Sequence, residues 1–580
     1  MLLKFFFSFY RNLVNYGGQL TTVLFFISLT YKQSSMKRNQ TLQEKLSGLQ
    51  VQPKLKAAIN VPTPDTTNLQ GHEAYSLDKW SRLISMLTTL KVQDQFYKSA
   101  SAQLTELKEV VSMCAKEDAI LVAKAIIWAR CVSDGMRTVS HVATVFLLPF
   151  LTSEVRGQLL NLWNKKAQKG GTIYRADDMS TIVEVLKLTG QKLPRKLVRQ
   201  FASNLEKLDS YSILKYKKDM INLTNLVHPD PKKARTVEYN GEQVSVIDAL
   251  MKGLSVSADT WEVAQSDAGQ KVAQAVKEGK LSTTEAKELL DEAKNENWIA
   301  LMEEGKLGIL AAVRNIRNIL KSVDAKSLKL LCDLLSNGDL IRKGKVLPHQ
   351  LDLAYKVVIT EFSDSKSRSV LQALQKGYEL AIPNLAEVMT GSTCVIADVS
   401  SSMTSHRLNK DGKTTGGGWG YSTAQNYDVT CYDQAMLISA TLAKATNADI
   451  VQFDSSARRK SYSPNLGVFD LAESLKGNKG GATNLTTAWQ LINGTKYDRV
   501  VIISDNECNR QSQVQAYKDY LRTTADPYVY IIDLASYGTV PLAGDKVNIY
   551  FGAGYQWMDD ILKGEISIAD RLAEIAKIEF

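Results

Sequence analysis

Near residue 389 the chain changes its hydrophobic period, and that change constrains the fold more than any other feature. Upstream, apolar residues recur at three- and four-residue spacing, as in 118–132, 180–188 and 197–208; this spacing places them on one buried helix face. Gly135, Gly170-Gly171, Gly190, Pro194, Pro229 and Pro231 punctuate these runs, and strand-like alternation is rare. Residues 298–320 read as one long helix, with Ile309, Leu310, Val313, Ile316 and Leu320 near one face and Gly305 and Gly308 near its start. Helix pairs joined by short turns predict a stacked all-α helical-repeat array, although no strict sequence period runs through it.

Downstream, short β-rich runs alternate with helical ones. Strands are expected at 394–398, Asp449–Phe453, Arg499–Ser504, Tyr528–Asp533 and Val547–Phe551, with helices at 432–445, Leu485–Ile492, 511–523 and 569–577. Such alternation predicts a mainly parallel, Rossmann-like α/β sheet with helices on both faces. The expected division is therefore an uncertain extension (1–35), a helical-repeat domain (36–388) and an α/β domain (389–580).

Charge divides at the same place. The whole chain carries 71 Lys+Arg against 61 Asp+Glu. Residues 389–580 hold 18 basic and 21 acidic groups, so the first 388 hold 53 and 40, an excess of +13. A basic helical part suits an anionic partner, nucleic acid first; a merely lysine-rich surface is the other reading. The six cysteines are scattered, with no C-x-x-C, which excludes a disulfide scaffold or zinc ribbon and fits a reducing, cytoplasmic setting.

Residues 1–35 contain no acidic group, and their apolar run 20–31 is 12 residues long, short of the ~20 needed to span a bilayer. Arg11, Asn12, Asn15 and Gly17-Gly18 interrupt the apolar stretch. Translation from Met36, or a poorly ordered tail, is expected in preference to membrane anchoring, and no stable membrane insertion is expected.

The sharpest motif is D-x-S-x-S at Asp398, Ser400 and Ser402, directly after a hydrophobic strand. Thr483 follows Gly480-Gly481, and Asp505 follows another hydrophobic strand. Ligands of such sheets bind at the carboxyl ends of the strands. Hydroxyl and carboxylate oxygens there suit a hard divalent cation, Mg²⁺ above all, with waters completing the shell. A strand-end aspartate capping a helix, or a complete motif left without metal in the cell, are the alternatives. The insert Ser405 to Tyr427, with Gly416-Gly417-Gly418-Trp419-Gly420, follows the motif; Gly412-Lys413-Thr414 is no P-loop, because Arg407 stands where the first glycine is required.

This segment resembles the metal-ion-dependent adhesion site of von Willebrand factor A domains. The resemblance implies that Ser400, Ser402 and Thr483 offer hydroxyls while Asp398 and Asp505 offer direct or water-mediated carboxylates. The helical part resembles the TROVE module of Ro 60 kDa-type ribonucleoproteins, of a bacterial or phage kind. The likeness lies in Gln95-Phe96-Tyr97-Lys98-Ser99, Ala129-Arg130 with Gly135-Met136-Arg137-Thr138-Val139, and Pro194-Arg195-Lys196-Leu197. It continues through Lys215-Tyr216-Lys217, Leu226-Val227-His228-Pro229, Trp298 with 311–318, and Pro348-His349.

That resemblance implies a ring of HEAT-like helical repeats closed by the A domain. Its basic outer surface would bind a small structured Y-like noncoding RNA, and its central hole would take the single-stranded 3′ ends of misfolded RNA. An exoribonuclease is a further implied partner in RNA quality control, and the chain is expected to act as a monomer. Lys215, Lys217, Lys218 and His228 are the implied RNA contacts, with Arg137 and Arg314 beside them. The alternatives are a solvated helix face for Lys215 to Lys218, a turn role for His228, and pairing of Arg314 and Arg317 with acidic neighbours.

The five histidines form no H-E-x-x-H, no G-x-S-x-G elbow occurs, and Asp559-Asp560 lack supporting context. The chain reads as a binding scaffold rather than an enzyme. Capture of a partner's carboxylate through Mg²⁺ at the A domain is the alternative function.

Overall fold

The computed structural model describes residues 61–90, 97–133, 137–163, 176–254, 272–405 and 429–579, apart from 563–567 and scattered single or paired positions. The chain divides into two compact units, Met1–Ile59 and Asn60–Phe580; every described residue belongs to the second. The 1–35 extension, and the insert from 406 onward, lie outside the described residues.

A first helical group comprises α1 (Lys79–Thr89), α2 (Ala100–Cys131), α3 (Arg137–Leu147), α4 (Ser153–Trp163), α5 (Ala176–Leu188), α6 (Arg195–Leu205), α7 (Ser210–Val227) and α8 (Val246–Met251). Polar caps start several of them. Asp78 accepts from the backbone N–H of Trp80 and Ser81 at α1, and Ser99 from Ala102 at α2, satisfying donors that the first helical turn leaves free. Leu83, Leu87, Leu107, Ile126, Val142, Ile182, Phe201 and Leu223 merge into one core.

The second group comprises α9 (Thr283–Glu303), α10 (Ile309–Arg314), α11 (Ile316–Leu320), α12 (Ala325–Leu335), α13 (Gly338–Lys343), α14 (Pro348–Glu361) and α15 (Ser365–Ala381). Here the single helix expected over 298–320 is overturned. Gly305 adopts φ +66, which ends α9, and Gly308 opens α10; a break at Asn315 (φ −106) then separates α11. A left-handed glycine stops a helix without steric cost. Trp298, Val313, Ile316 and Leu320 nevertheless share one core. Sparse strands also stand where alternation is weak: β1 (Thr66–Thr67), β2 (Glu73–Ser76), β3 (Thr236–Tyr239) and β4 (Glu242–Ser245). They are too short for a period-2 pattern to register.

The C-terminal part holds β5 (Thr393–Asp398), β6 (Asp449–Phe453), β7 (Ala457–Lys460), β8 (Arg499–Ser504), β9 (Tyr528–Asp533), β10 (Thr539–Val540) and β11 (Val547–Phe551). Six of them form a sheet in the order β11-β9-β8-β5-β6-β7. It is parallel throughout except for β7, which pairs antiparallel with β6 at one edge. Alternate residues serve opposite faces. Val395, Ala397, Val501 and Ile503 join the second helical core, whereas Cys394, Ile396, Val500 and Ile502 pack with Trp489, Tyr517 and Tyr520 on the other face. Burial on both faces explains the near-continuous apolar strands. Flanking helices are α16 (Ser401–Ser405), α17 (Cys431–Thr446), α18 (Val468–Leu475), α19 (Leu485–Ile492), α20 (Gln513–Thr523), α21 (Gln556–Leu562) and α22 (Ile568–Ala576).

The sheet part contacts the helical part at both ends. Its second-core face is continuous with α9–α15. From the other side, β2 pairs antiparallel with β10, and Ile575 of α22 enters the first core. The Arg571 guanidinium sits 5.0 Å above the Trp128 ring, a favourable cation–π distance. The two helical groups also touch directly, as Lys345 Nζ donates to the Cys131 carbonyl at 3.0 Å. No helix among the described residues is long and apolar enough to cross a membrane.

Candidate functional site

The candidate metal residues converge at the carboxyl ends of the central strands. Asp398 ends β5, and the backbone N–H of Ser400 donates to its Oδ1 at 2.9 Å. Ser504, ending β8, donates its hydroxyl to Asp398 Oδ2 at 2.6 Å. The hydroxyls of Ser400 and Ser402 stand 3.2 Å apart, and Ser402 also hydrogen-bonds Asp505. The loop carrying Thr483 is pinned to the same end: Gly480 N–H donates to the Val399 carbonyl at 2.8 Å, and Ser401 N–H to the Gly481 carbonyl at 3.3 Å. Gly480 and Gly481 have φ +104 and +86, and a Cβ on Gly481 would press on Ser455; only glycine makes this turn cheaply. Thr483 is locked reciprocally to Asn509, donating its N–H to Oδ1 and accepting from the Asn509 N–H, both at 2.9 Å. All five expected residues are buried.

Four acidic groups are crowded here. Burial, reinforced by the Asp505 charge, pushes Asp398 up to about 7. Asp505 is likewise raised by burial. Glu507 is pushed up to about 8 by burial and then by Asp505, and Asp533, ending β9, to about 6 by burial. Glu507 Oε1, Asp533 Oδ2 and both amide atoms of Asn506 are buried without a hydrogen-bond partner among the described residues. Buried carboxylates and orphaned polar atoms are costly unless compensated, and a hard cation would compensate them. Among the described residues no three His, Cys, Asp or Glu groups cage a metal by themselves. The Ser400, Ser402 and Thr483 hydroxyls would therefore have to supply most of the protein's oxygens, with Asp398 and Asp505 adding charge. This donor set fits Mg²⁺.

Sequence reasoning missed the neighbours from the helical part. Tyr97 hydrogen-bonds Ser402, and burial followed by the Asp505 charge pushes its hydroxyl up to about 12; its ring meets Tyr537 edge-on at 5.4 Å. Leu69 N–H donates to Glu507 Oε2 at 2.9 Å. The run Ser504-Asp505-Asn506-Glu507 was the available signal for the extra carboxylate. The sequence marked Tyr97 only as part of the 95–99 stretch and Leu69 not at all; both approach the site through tertiary contacts.

The expected RNA contacts fall into separate places. Lys217 and Lys218 are exposed on α7, just after a kink at Tyr216 (φ −120). His228 is exposed and terminates α7 in the left-handed region, φ 49; it is a turn residue, yet its ring remains at the surface. Lys215 and Arg137 lie on α7 and α3, with side chains outside the described set. Arg314 is exposed at the end of α10, which belongs to the second core, so the fold does not group it with α7. Arg317 does pair with an acidic neighbour, Glu361. Of the other histidines, His141 is buried and holds Asp178 at 2.7 Å.

No protein-family profile matches the chain, and no curated protein matches it in sequence. Among solved structures, the crystal structure of the Ro (RSR) protein of Deinococcus radiodurans is similar, at 15% identity and a TM-score of 0.51, over 84% of this chain and all of that one. The likeness expected from the motifs is thus borne out as a fold: this chain, like that Ro protein, joins a helix-rich first part to a parallel-stranded α/β part.

Proposed function

We propose that this protein is a Ro-type RNA-binding scaffold. The observation that carries the reading is the union of that fold with a net-basic helical part, 45 Lys+Arg against 39 Asp+Glu (+6) over residues 60–388, ahead of a net-acidic α/β part. Lysine and arginine contacts to phosphates supply sequence-independent affinity that weakens with salt. In this reading Lys217, Lys218 and His228, with Lys215, meet a small structured, Y-like RNA on an outer surface. The interior of a helical ring takes unpaired 3′ ends of misfolded RNA, whose exposed bases a folded duplex would hide. An exoribonuclease is a fitting partner for such a scaffold in the cytoplasm.

In the α/β part, Asp398, Ser400, Ser402, Thr483 and Asp505 would hold Mg²⁺, which when bound neutralises the crowded carboxylates. Tyr97 and the Leu69 backbone then tie the helical part to the same end of the sheet. Capture of an outside partner's carboxylate is the weaker reading, because the chain's own Tyr97 already occupies Ser402.

The test is a gel-shift titration of the full chain with a labelled hairpin RNA bearing a single-stranded 3′ tail, at several salt concentrations. Binding with a steep negative salt slope is expected, reduced in Lys217→Gln/Lys218→Gln. No binding at low salt would overturn the reading.

A further inference from the structure

Tyr97 belongs to the helical part by sequence, yet it stands against the candidate metal residues of the sheet, and two separate sets of contacts fix it there. Its ring is seated without help from its own hydroxyl: the Tyr537 hydroxyl hydrogen-bonds the Tyr97 backbone, and the two rings meet edge-on at 5.4 Å. Its hydroxyl reaches Ser402, which is buried and also hydrogen-bonds Asp505. A serine hydroxyl has one proton and two lone pairs. An ionised Asp505 can only accept, so it takes the Ser402 proton, and Tyr97 then donates to Ser402 Oγ. One lone pair of Ser402 is left for a cation, and the phenol fixes the direction in which it points.

Two neighbouring groups make the same crossing. Leu69 N–H donates to Glu507 Oε2 at 2.9 Å, and Asn68 Nδ2 donates to the Cys508 carbonyl. Both acceptors lie in the run that carries Asp505. Three groups from the start of the helical part thus hold Ser402 and residues 505–508, the pieces that would give the ion a hydroxyl and a carboxylate.

We propose that Tyr97 is a positioning residue of the Mg²⁺ centre: its hydroxyl aims Ser402 at the cation, so that metal binding and the docking of Asn68, Leu69 and Tyr97 on the sheet strengthen each other. The proposal rests on the Mg²⁺ reading above. Such coupling is reciprocal: whatever factor docking adds to Mg²⁺ affinity, Mg²⁺ adds to docking. The centre then fastens the chain to itself, and the helical part responds to the ion.

Lys98 places a reporter one residue from Tyr97. Its side chain is 17% exposed and paired with Glu106, so endoproteinase Lys-C reaches it only when the segment leaves the sheet. The test compares the full chain with Tyr97→Phe, which keeps the ring and its seat on Tyr537. Mg²⁺ affinity is read by titration calorimetry. Cleavage after Lys98 is timed by mass spectrometry of the fragment beginning at Ser99, in EDTA and in saturating Mg²⁺. Tyr97→Phe should bind Mg²⁺ about 3- to 10-fold more weakly, the worth of one hydrogen bond. In the wild type, saturating Mg²⁺ should slow cleavage after Lys98 by at least that factor, while cleavage after the exposed Lys280 is unchanged; Asp398→Ala should lose the slowing. Equal affinities in wild type and Tyr97→Phe would overturn the proposal, as would cleavage after Lys98 indifferent to Mg²⁺ in a protein that binds it. Wild-type protein that binds no Mg²⁺ would instead overturn the metal reading, and this coupling with it.

Discussion

The guanidinium of Arg82, in the first helix, donates from Nη1 to both the carbonyl and the hydroxyl of Ser536, at 2.8 and 2.9 Å, across 454 residues of sequence. Arg82 is buried, its Nε donates to Glu106 at 2.7 Å, and it lies against Gly538, whose φ is +107. One side chain thus anchors the first helical group to the loop after β9, close to the acidic cluster. Arg82→Ala should destabilise the protein by about 1–3 kcal/mol, because the buried Ser536 groups lose their donor, while the half-buried Glu106 keeps Lys98. Chemical denaturation reads the loss, and limited proteolysis should show residues 61–90 opening first.

Metal binding should be visible as stability. With Mg²⁺ at about 100 times its dissociation constant, the gain is about 2.7 kcal/mol. A thermal-shift series should show this rise in the wild type and lose it in Asp398→Ala. A midpoint indifferent to Mg²⁺ in the wild type would exclude binding at this centre.

The same cluster sets a pH dependence with a definite sign. Asp398 is raised by burial to about 7 and Asp533 to about 6, above the ordinary aspartate value near 4. A raised carboxylate favours folding while it is protonated. That contribution is complete below about pH 4 and is lost as pH rises through about 6 to 7. In chelator, stability should therefore decline between about pH 5 and pH 8. Saturating Mg²⁺, which prefers the ionised carboxylates, should flatten or reverse the decline.

A buried ionic junction joins α14 to the sheet part. Lys356 Nζ lies 2.9 Å from Asp352 and 3.0 Å from Asp433, while Lys476 lies 2.8 Å from Asp433. Burial alone would raise Asp433, but the two lysines outweigh it and hold the carboxyl well below its usual range. Its contribution is present above about pH 4 and is lost as pH falls below that. Lys356→Ala should cost about 3 kcal/mol by stranding buried carboxylates, measured by urea denaturation near neutral pH.

Close helix contact explains Gly377 in α15. A Cβ there would overlap the Leu335 carbonyl and crowd Ile341. Gly377→Ala should destabilise by about 1–3 kcal/mol through overpacking, despite the higher helix propensity of alanine.

How much was legible in the sequence follows from the range of the forces involved. The five main parallel strands and the helices at 431–446, 485–492, 513–523 and 568–576 are read almost to the residue, because strand and helix periods are local and both sheet faces are buried, whereas β7, α18 and α21 went unread. The five candidate residues stand at one end of the sheet, since each sits at a strand end or on a glycine turn next to one, and parallel strands bring those ends together. The break at Gly305 and Gly308 was misjudged because apolar spacing ran on through it: the side chains still face one core while the backbone turns. The short pairing of β2 with β10, and the approach of Tyr97 to Ser402 and of Arg82 to Ser536, carry no local signature. They arise only when the chain closes on itself and brings together groups hundreds of residues apart. By itself, then, the sequence determined most of the elements, the charge asymmetry and the polar groups at the strand ends. Tertiary structure alone decided what covers those ends and which cations remain without acidic neighbours, because both depend on non-local packing.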